Sequence, residues 1–107
     1  MVINECELNV SNLLADNKQQ ANFTFSFFRT ILDIKQIPNV DDIYMNLSEK
    51  IEIYVFLKNE SYEDENLISE KISEFEKSVL YFPELFIYSD DETPKMNVLP
   101  RSALRLC

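Results

Sequence analysis

Carboxylates are the side chains with chemistry to offer in this sequence, and they gather in two runs. Glu60, Glu63, Asp64 and Glu65 form the first, and Asp90, Asp91 and Glu92 form the second. Grouped carboxylate oxygens can take a hard cation such as Ca²⁺. They can act as an acid/base pair across a sugar bond, or attract the cations of a basic partner. The first two uses are poorly supported. Neither run alternates ligands around a mid-loop glycine as a calcium loop does, and the chain has no glycine at all. With nineteen acids present, a pair at glycosidase spacing carries no information.

The missing residue types exclude more. Without histidine, the usual general base, triad member and commonest metal ligand are gone. Without glycine, no loop can bring its backbone close enough to cradle a phosphate or dinucleotide. Cys6 and Cys107 are the two cysteines, and a cysteine nucleophile would need a base that histidine usually supplies. Cys6 falls on the apolar side of an alternating segment and reads as a small buried hydrophobe. Cys107 reads as an exposed thiol. The expectation is a domain with no catalytic residues, no cofactor and no metal site.

Charge is distributed unevenly. Residues 1–40 carry a net of −1, and residues 41–92 carry fifteen acids against Lys50, Lys58, Lys71 and Lys77, a net of −11. Residues 93–107 hold Lys95, Arg101 and Arg105 with no acid, a net of +3. Direct nucleic-acid binding is disfavoured, because each phosphate contact needs a cation. A negative field instead steers encounter with a basic protein. The function this predicts is a small acidic module that docks on a basic partner and inhibits or regulates it. An immunity or antitoxin protein, or a nucleic-acid-mimicking inhibitor, would act in this way. Both carboxylate runs are its candidate partner-binding residues. The alternative is a structural subunit or self-associating domain that forms a homo-oligomer, and the competing account of the charge is simple solubility.

The elements that must position these groups follow from hydrophobic spacing. The chain of 107 residues, 46% apolar, is read as one domain, 1–107, with a tail from about residue 100 partly mobile. No stretch is long and apolar enough for a membrane span. The start Met1-Val2-Ile3-Asn4-Glu5-Cys6 lacks the pattern of a secretion signal, so a cytoplasmic protein is expected. Residues 3–10 alternate as a strand.

Residues 17–37 carry two competing patterns. Phe23, Phe25 and Phe27 alternate as in a strand, yet Asn22, Ser26, Arg29, Asp33 and Gln36 form a polar stripe at helical spacing. The helix is favoured, with Asp16 or Asn17 as its cap and Pro38 as its stop. Asn39 to Asp42 reads as a turn, then Ile43–Leu47 and Ile51–Leu57 as a hairpin around Ser48-Glu49-Lys50.

Ser61 with Asp64 three residues on is a capping-box-like helix start. Ile68, Ile72, Phe75, Val79 and Phe82 recur on one face before Pro83. Leu85–Tyr88 reads as a strand, and Met96–Leu99 as a further edge strand. The fold class expected is α+β: a single-layer antiparallel sheet packed by two helices, with the ferredoxin-like βαββαβ order favoured. The alternative is an N-terminal β-hairpin followed by a βαβ-type unit. Tyr44, Tyr54, Tyr62, Tyr81 and Tyr88 all fall in the acidic block, where tyrosine serves either core or interface.

Overall fold

In the computed structural model, residues 18–90 and 94–107 are described. The helix wins the contest over residues 17–37: α1 spans Lys18–Lys35. The alternating phenylalanines are separated by its 3.6-residue turn. Phe27 is 1% exposed while Phe25 is 66% exposed. Phe27, Phe28, Ile31 and Ile34 line the buried face, and Asn22, Arg29 and Asp33 of the polar stripe are exposed. The proposed caps at residues 16 and 17 and the strand at residues 3–10, with Cys6, lie outside the described residues.

The hairpin forms around Ser48-Glu49-Lys50, from β1 (Val40–Leu47) and β2 (Ile51–Leu57), paired antiparallel from Val40↔Leu57 to Leu47↔Ile51. The expected turn at Asn39–Asp42 is corrected here. β1 already begins at Val40, and a register shift between Val40 and Asp42 takes up the extra residue. Burial of Val40 and the bond from Lys58 N–H to the Asn39 carbonyl (2.8 Å) hold this end in the ladder. The polar residues around Val40 hid that pairing.

Helix α2 spans Tyr62–Val79. The Ser61 hydroxyl accepts from the Asp64 N–H at 3.2 Å, satisfying one of the unpaired donors of the first turn. Glu63, Asp64 and Glu65 sit in that turn, where the helix dipole favours anions. Ile68, Ile72 and Phe75 are buried. Phe82 does not complete the stripe: the helix stops at Leu80, whose backbone is left-handed (φ 55°) with its N–H bonded to the Glu76 carbonyl. That reversal carries Phe82 to 60% exposure.

Strand β3 (Glu84–Ser89) pairs parallel with β2, from Glu52↔Glu84 to Leu57↔Ser89. The expected sheet was antiparallel and ferredoxin-like, and two findings correct it. The sheet is mixed, with order β3-β2-β1-β4. β2, α2 and β3 make an unsplit βαβ unit, so no strand can stand between the parallel pair as the split arrangement requires. The described elements run αββαβ, then a short helix α3 (Lys95–Val98) and β4 (Leu104–Arg105).

Residues 96–99, expected as an edge strand, are therefore mostly helical, with the Leu99 N–H bonded to the Lys95 carbonyl at 3.0 Å. One turn of helix after Pro94 satisfies those backbone groups without a neighbouring strand. The edge strand lies further on, where β4 pairs antiparallel with Tyr44 and Met45 of β1. The tail is seated in the sheet: Leu106 is 2% exposed, and its N–H bonds the Ile43 carbonyl at 2.7 Å. Cys107 is half-buried and disulfide-bonded rather than an exposed thiol.

Alternation along the strands gives the sheet two faces. Ile43, Met45, Ile51, Ile53, Val55 and Leu57 join Phe27, Ile31, Ile34, Ile68, Ile72 and Phe75 in one core between sheet and helices. Tyr44, Tyr54, Phe56, Phe86 and Tyr88 alternate onto the opposite face. No helix among the described residues is long and apolar enough to cross a membrane.

Candidate functional site

Pairing directions decide where the acids go. β1 starts where the antiparallel β2 ends, and β3, parallel to β2, ends there too. Four residues separate the end of β2 from the start of α2. The first carboxylate run and Asp90 are thereby brought to the same end of the sheet. Asn39 ties this end together, its Nδ2 donating to the Asn59 carbonyl at 2.8 Å and to Asp64 Oδ2 at 3.0 Å. Glu60 and Glu63 are exposed, and Asp64 and Glu65 half-buried. Asp91 and Glu92 lie outside the described residues.

A charge cluster that spacing did not announce sits beside them. Lys95 Nζ donates to Asp41 Oδ2 at 2.9 Å and to Asp42 Oδ2, and lies 3.7 Å from Asp90 Oδ2. It also stands 5.5 Å from the centre of the Phe56 ring, within range of a cation–π attraction. Arg105 Nη2 meets the other oxygen of Asp42 at 3.0 Å. Asp42 is a buried residue, and a buried carboxylate is tolerable when both its oxygens are paired.

The titration of the cluster follows from these contacts. A hydrogen bond with Asp90 and another from Lys95 hold the Asp41 carboxyl below its ordinary range. Burial and the same bond to Asp41 push Asp90 up. Burial works against the Lys95 charge, but its bonds to Asp42 and Asp41 outweigh that and hold the ammonium above its usual range. The cluster fastens the segment from Lys95 to Arg105 across the sheet end. Asp90 is thus partly spent on the fold. The legible signal for this was the +3 segment following the −11 block: two of its three cations fold back onto acids of that block.

The remaining acids are differently placed. Among the described residues every ion pair uses Asp41, Asp42 or Asp90 as its anion. Within the described residues, the other acids of the hairpin and those of α2 form none. Glu63, Leu67, Glu70 and Glu74 follow one another at spacings of four, three and four along α2, and all four are exposed. They make an acidic ridge with one apolar residue in it, closed by Lys77 at its C-terminal end. Behind the ridge a groove of about 340 Å³ runs between α1 and α2, lined by Phe25, Arg29, Asp33, Lys71, Glu74 and Phe75 among others.

No family model, curated protein or solved structure matches this chain. Its geometry must stand by itself.

On the face away from the helices the aromatic rings form a ladder. Tyr54 stacks on Phe86 at 4.9 Å and Phe56 on Tyr88 at 5.8 Å, with Tyr44 edge-on to Phe56 at 5.9 Å. The Tyr54 hydroxyl donates to Glu52 Oε1 at 3.1 Å. Burial, reinforced by that carboxylate, pushes its pKa from 10.0 to about 12. Tyr54 and Phe56 are buried, whereas Tyr44, Phe86 and Tyr88 remain half-buried. Tyr62 is 80% exposed at the start of α2, next to the acids of that turn. Among the described residues no group of three or more His, Cys, Asp or Glu side chains is arranged to hold a metal ion.

Proposed function

We propose that this chain is an acidic protein-binding module that docks on a basic partner protein and inhibits or regulates it. The observation that carries the reading is the exposed ridge Glu63-Leu67-Glu70-Glu74, with Glu60 and Tyr62 exposed just before it in the chain, whose carboxylates form no ion pair within the described residues. Unpaired charges gathered on one helix raise the local potential and speed encounter with a cationic surface. Tyr62 and Leu67 offer apolar area for a docked complex to bury. Carboxylates on a rigid helix can also stand where a nucleic-acid enzyme expects phosphates. No catalytic role is proposed.

The test compares the chain with its Glu63→Gln/Glu70→Gln/Glu74→Gln variant. A partner captured at low salt is titrated against both by calorimetry over a range of salt. The variant is expected to bind at least roughly tenfold more weakly and with a shallower salt dependence, as rim charges act chiefly through screened attraction. Equal affinity and an equal salt slope would refute the reading.

A second reading, a self-associating structural subunit, draws on the outer edge of β3, which no described strand pairs. Sedimentation that finds a monomer at all concentrations would remove it.

A further inference from the structure

Leu106 and Cys107 carry the pairing of β4 with β1 two residues further. The Ile43 N–H bonds the Cys107 carbonyl at 3.2 Å, and the Leu106 and Cys107 N–H groups both donate to the Ile43 carbonyl, at 2.7 and 3.3 Å. Cys107 is half-buried against the core, and its sulfur is held in a disulfide. A disulfide needs a second cysteine, and the chain has one other, Cys6. The structure contains a single copy of the chain, so the bond is made within it.

We infer that Cys6 and Cys107 are joined, and that the bond is a permanent structural closure of the fold rather than a switch, made where the surroundings are oxidising. Every described element, from α1 to β4, lies between these two cysteines in the chain. One bond therefore ties nearly the whole sequence into a ring. The inference is independent of the basic-partner reading.

Closure takes two protons and two electrons from the thiols. One cysteine, as thiolate, attacks an external disulfide of the glutathione or thiol-oxidoreductase class and expels one of its sulfurs as a thiolate. The second cysteine then attacks the mixed disulfide, forming the internal bond and expelling the other sulfur. The external disulfide accepts the two electrons and, with the two protons, leaves as two thiols. Such bonds persist in oxidising compartments and are kept reduced in the cytosol, which moves the expected setting away from the cytoplasm.

Access and entropy both favour permanence. Reduction needs an external thiolate to reach a sulfur. Half-burial of Cys107 narrows that approach, and a net charge of −9 repels anionic glutathione. A closed loop of about 100 residues removes far more freedom from the unfolded chain than a short one. The folded chain has a use for the bond as well. β4 is two residues long, so backbone pairing alone is a weak hold on the stretch that brings Arg105 to Asp42. The disulfide pins that stretch two positions further on.

The test takes the full chain, purified without reductant and treated with N-ethylmaleimide to block any free thiol before trypsin is added. Cleavage after Lys18 and Arg105 should release residues 1–18 joined to residues 106–107. Neither cysteine should carry maleimide, and reductant should separate the two peptides. The intact, unreduced chain should have the mass of a monomer. In a glutathione buffer at the ratio of the cytosol, most of it should stay closed. Cys6→Ser, kept monomeric with reductant, should raise the unfolding constant in urea by roughly thirtyfold to a thousandfold. The Leu106 amide hydrogen should exchange faster in that variant.

Maleimide on both cysteines would overturn the inference, and so would a disulfide-linked dimer, in which two copies share the bond. Opening in the cytosolic glutathione buffer would overturn its permanence and make the bond a switch. An unchanged unfolding constant for Cys6→Ser would overturn the structural role. If that variant fails to fold, the peptide map of the parent and its glutathione equilibrium still decide. Failure of the basic-partner reading shows elsewhere, in unchanged binding of the captured partner to the α2 ridge variant.

Discussion

Replacing Leu80 by glycine should make this protein more stable. Leu80 ends α2 with φ 55° and ψ 41°, the single non-glycine residue of positive φ among the described residues. An L-residue in that conformation costs roughly 1–2 kcal/mol because Cβ crowds the following carbonyl. Glycine removes the clash, but its greater freedom in the unfolded chain returns roughly 0.4–1 kcal/mol of the gain. The Leu80 side chain is 82% exposed, so little burial is lost.

The net expectation for Leu80→Gly is about 0.5–1 kcal/mol of added stability. For a chain of this size that is a rise in Tm of roughly 2–5 °C. Urea unfolding followed by far-UV circular dichroism, with thermal melts alongside, measures both. Leu80→Ala is the control. It removes the same exposed side chain while keeping the strained backbone, and should change stability by no more than about 0.5 kcal/mol. If Leu80→Gly matches Leu80→Ala, or is less stable than the parent, the conformational argument is wrong.

Two further outcomes follow from the sheet. The folded protein holds the Tyr54 proton to about pH 12, whereas the unfolded chain releases it near 10.0. The folded state therefore binds more protons in that window, and stability falls as pH rises through it. Partial solvent screening limits the loss to roughly 1–2 kcal/mol. Tyr54→Phe should flatten the decline between those pH values, leaving the part due to Lys95, whose own loss begins above 10.5. Lys95→Met strips the shared cation from Asp41, Asp42 and Asp90 and should cost about 2 kcal/mol at neutral pH. Adding Asp42→Asn to that variant should recover part of the loss in the same urea titration.

The elements that were legible in the residues are those whose signal is local and repeated. α2 declared itself through Ser61, its acidic first turn and the spacing Ile68, Ile72, Phe75. The hairpin did so through apolar alternation on both sides of Ser48-Glu49-Lys50. α1 was legible only because its polar stripe ran longer than the phenylalanine alternation. What escaped was set by distant partners. β4 is two residues long and is a strand only because Tyr44 and Met45 pair with it. Residues 95–98 alternate in hydropathy, yet one helical turn is what fits between Pro94 and the sheet end. The parallel pairing of β2 with β3 depends on where β3 docks after α2, which no spacing records.

The candidate site was legible to the same extent. Glu60, Glu63, Asp64 and Glu65 were found as a run and lie together at the start of α2. The attachment of Asp90 to Lys95 was not foreseen, because Asp41, Asp42 and Lys95 meet across more than fifty positions of chain.

The seating of Leu106 and Arg105 against β1 has a consequence for biosynthesis. Residues 40–90 leave the ribosome with the Asp42 carboxylate still without either of its cations and with the far border of β1 unzipped. Among the described residues both wants are met by residues 95–106, made after the strand and the carboxylate they engage. The four described strands can therefore assemble fully only once that stretch has cleared the exit tunnel. A nascent chain arrested before it would display a bare strand and a stranded anion side by side.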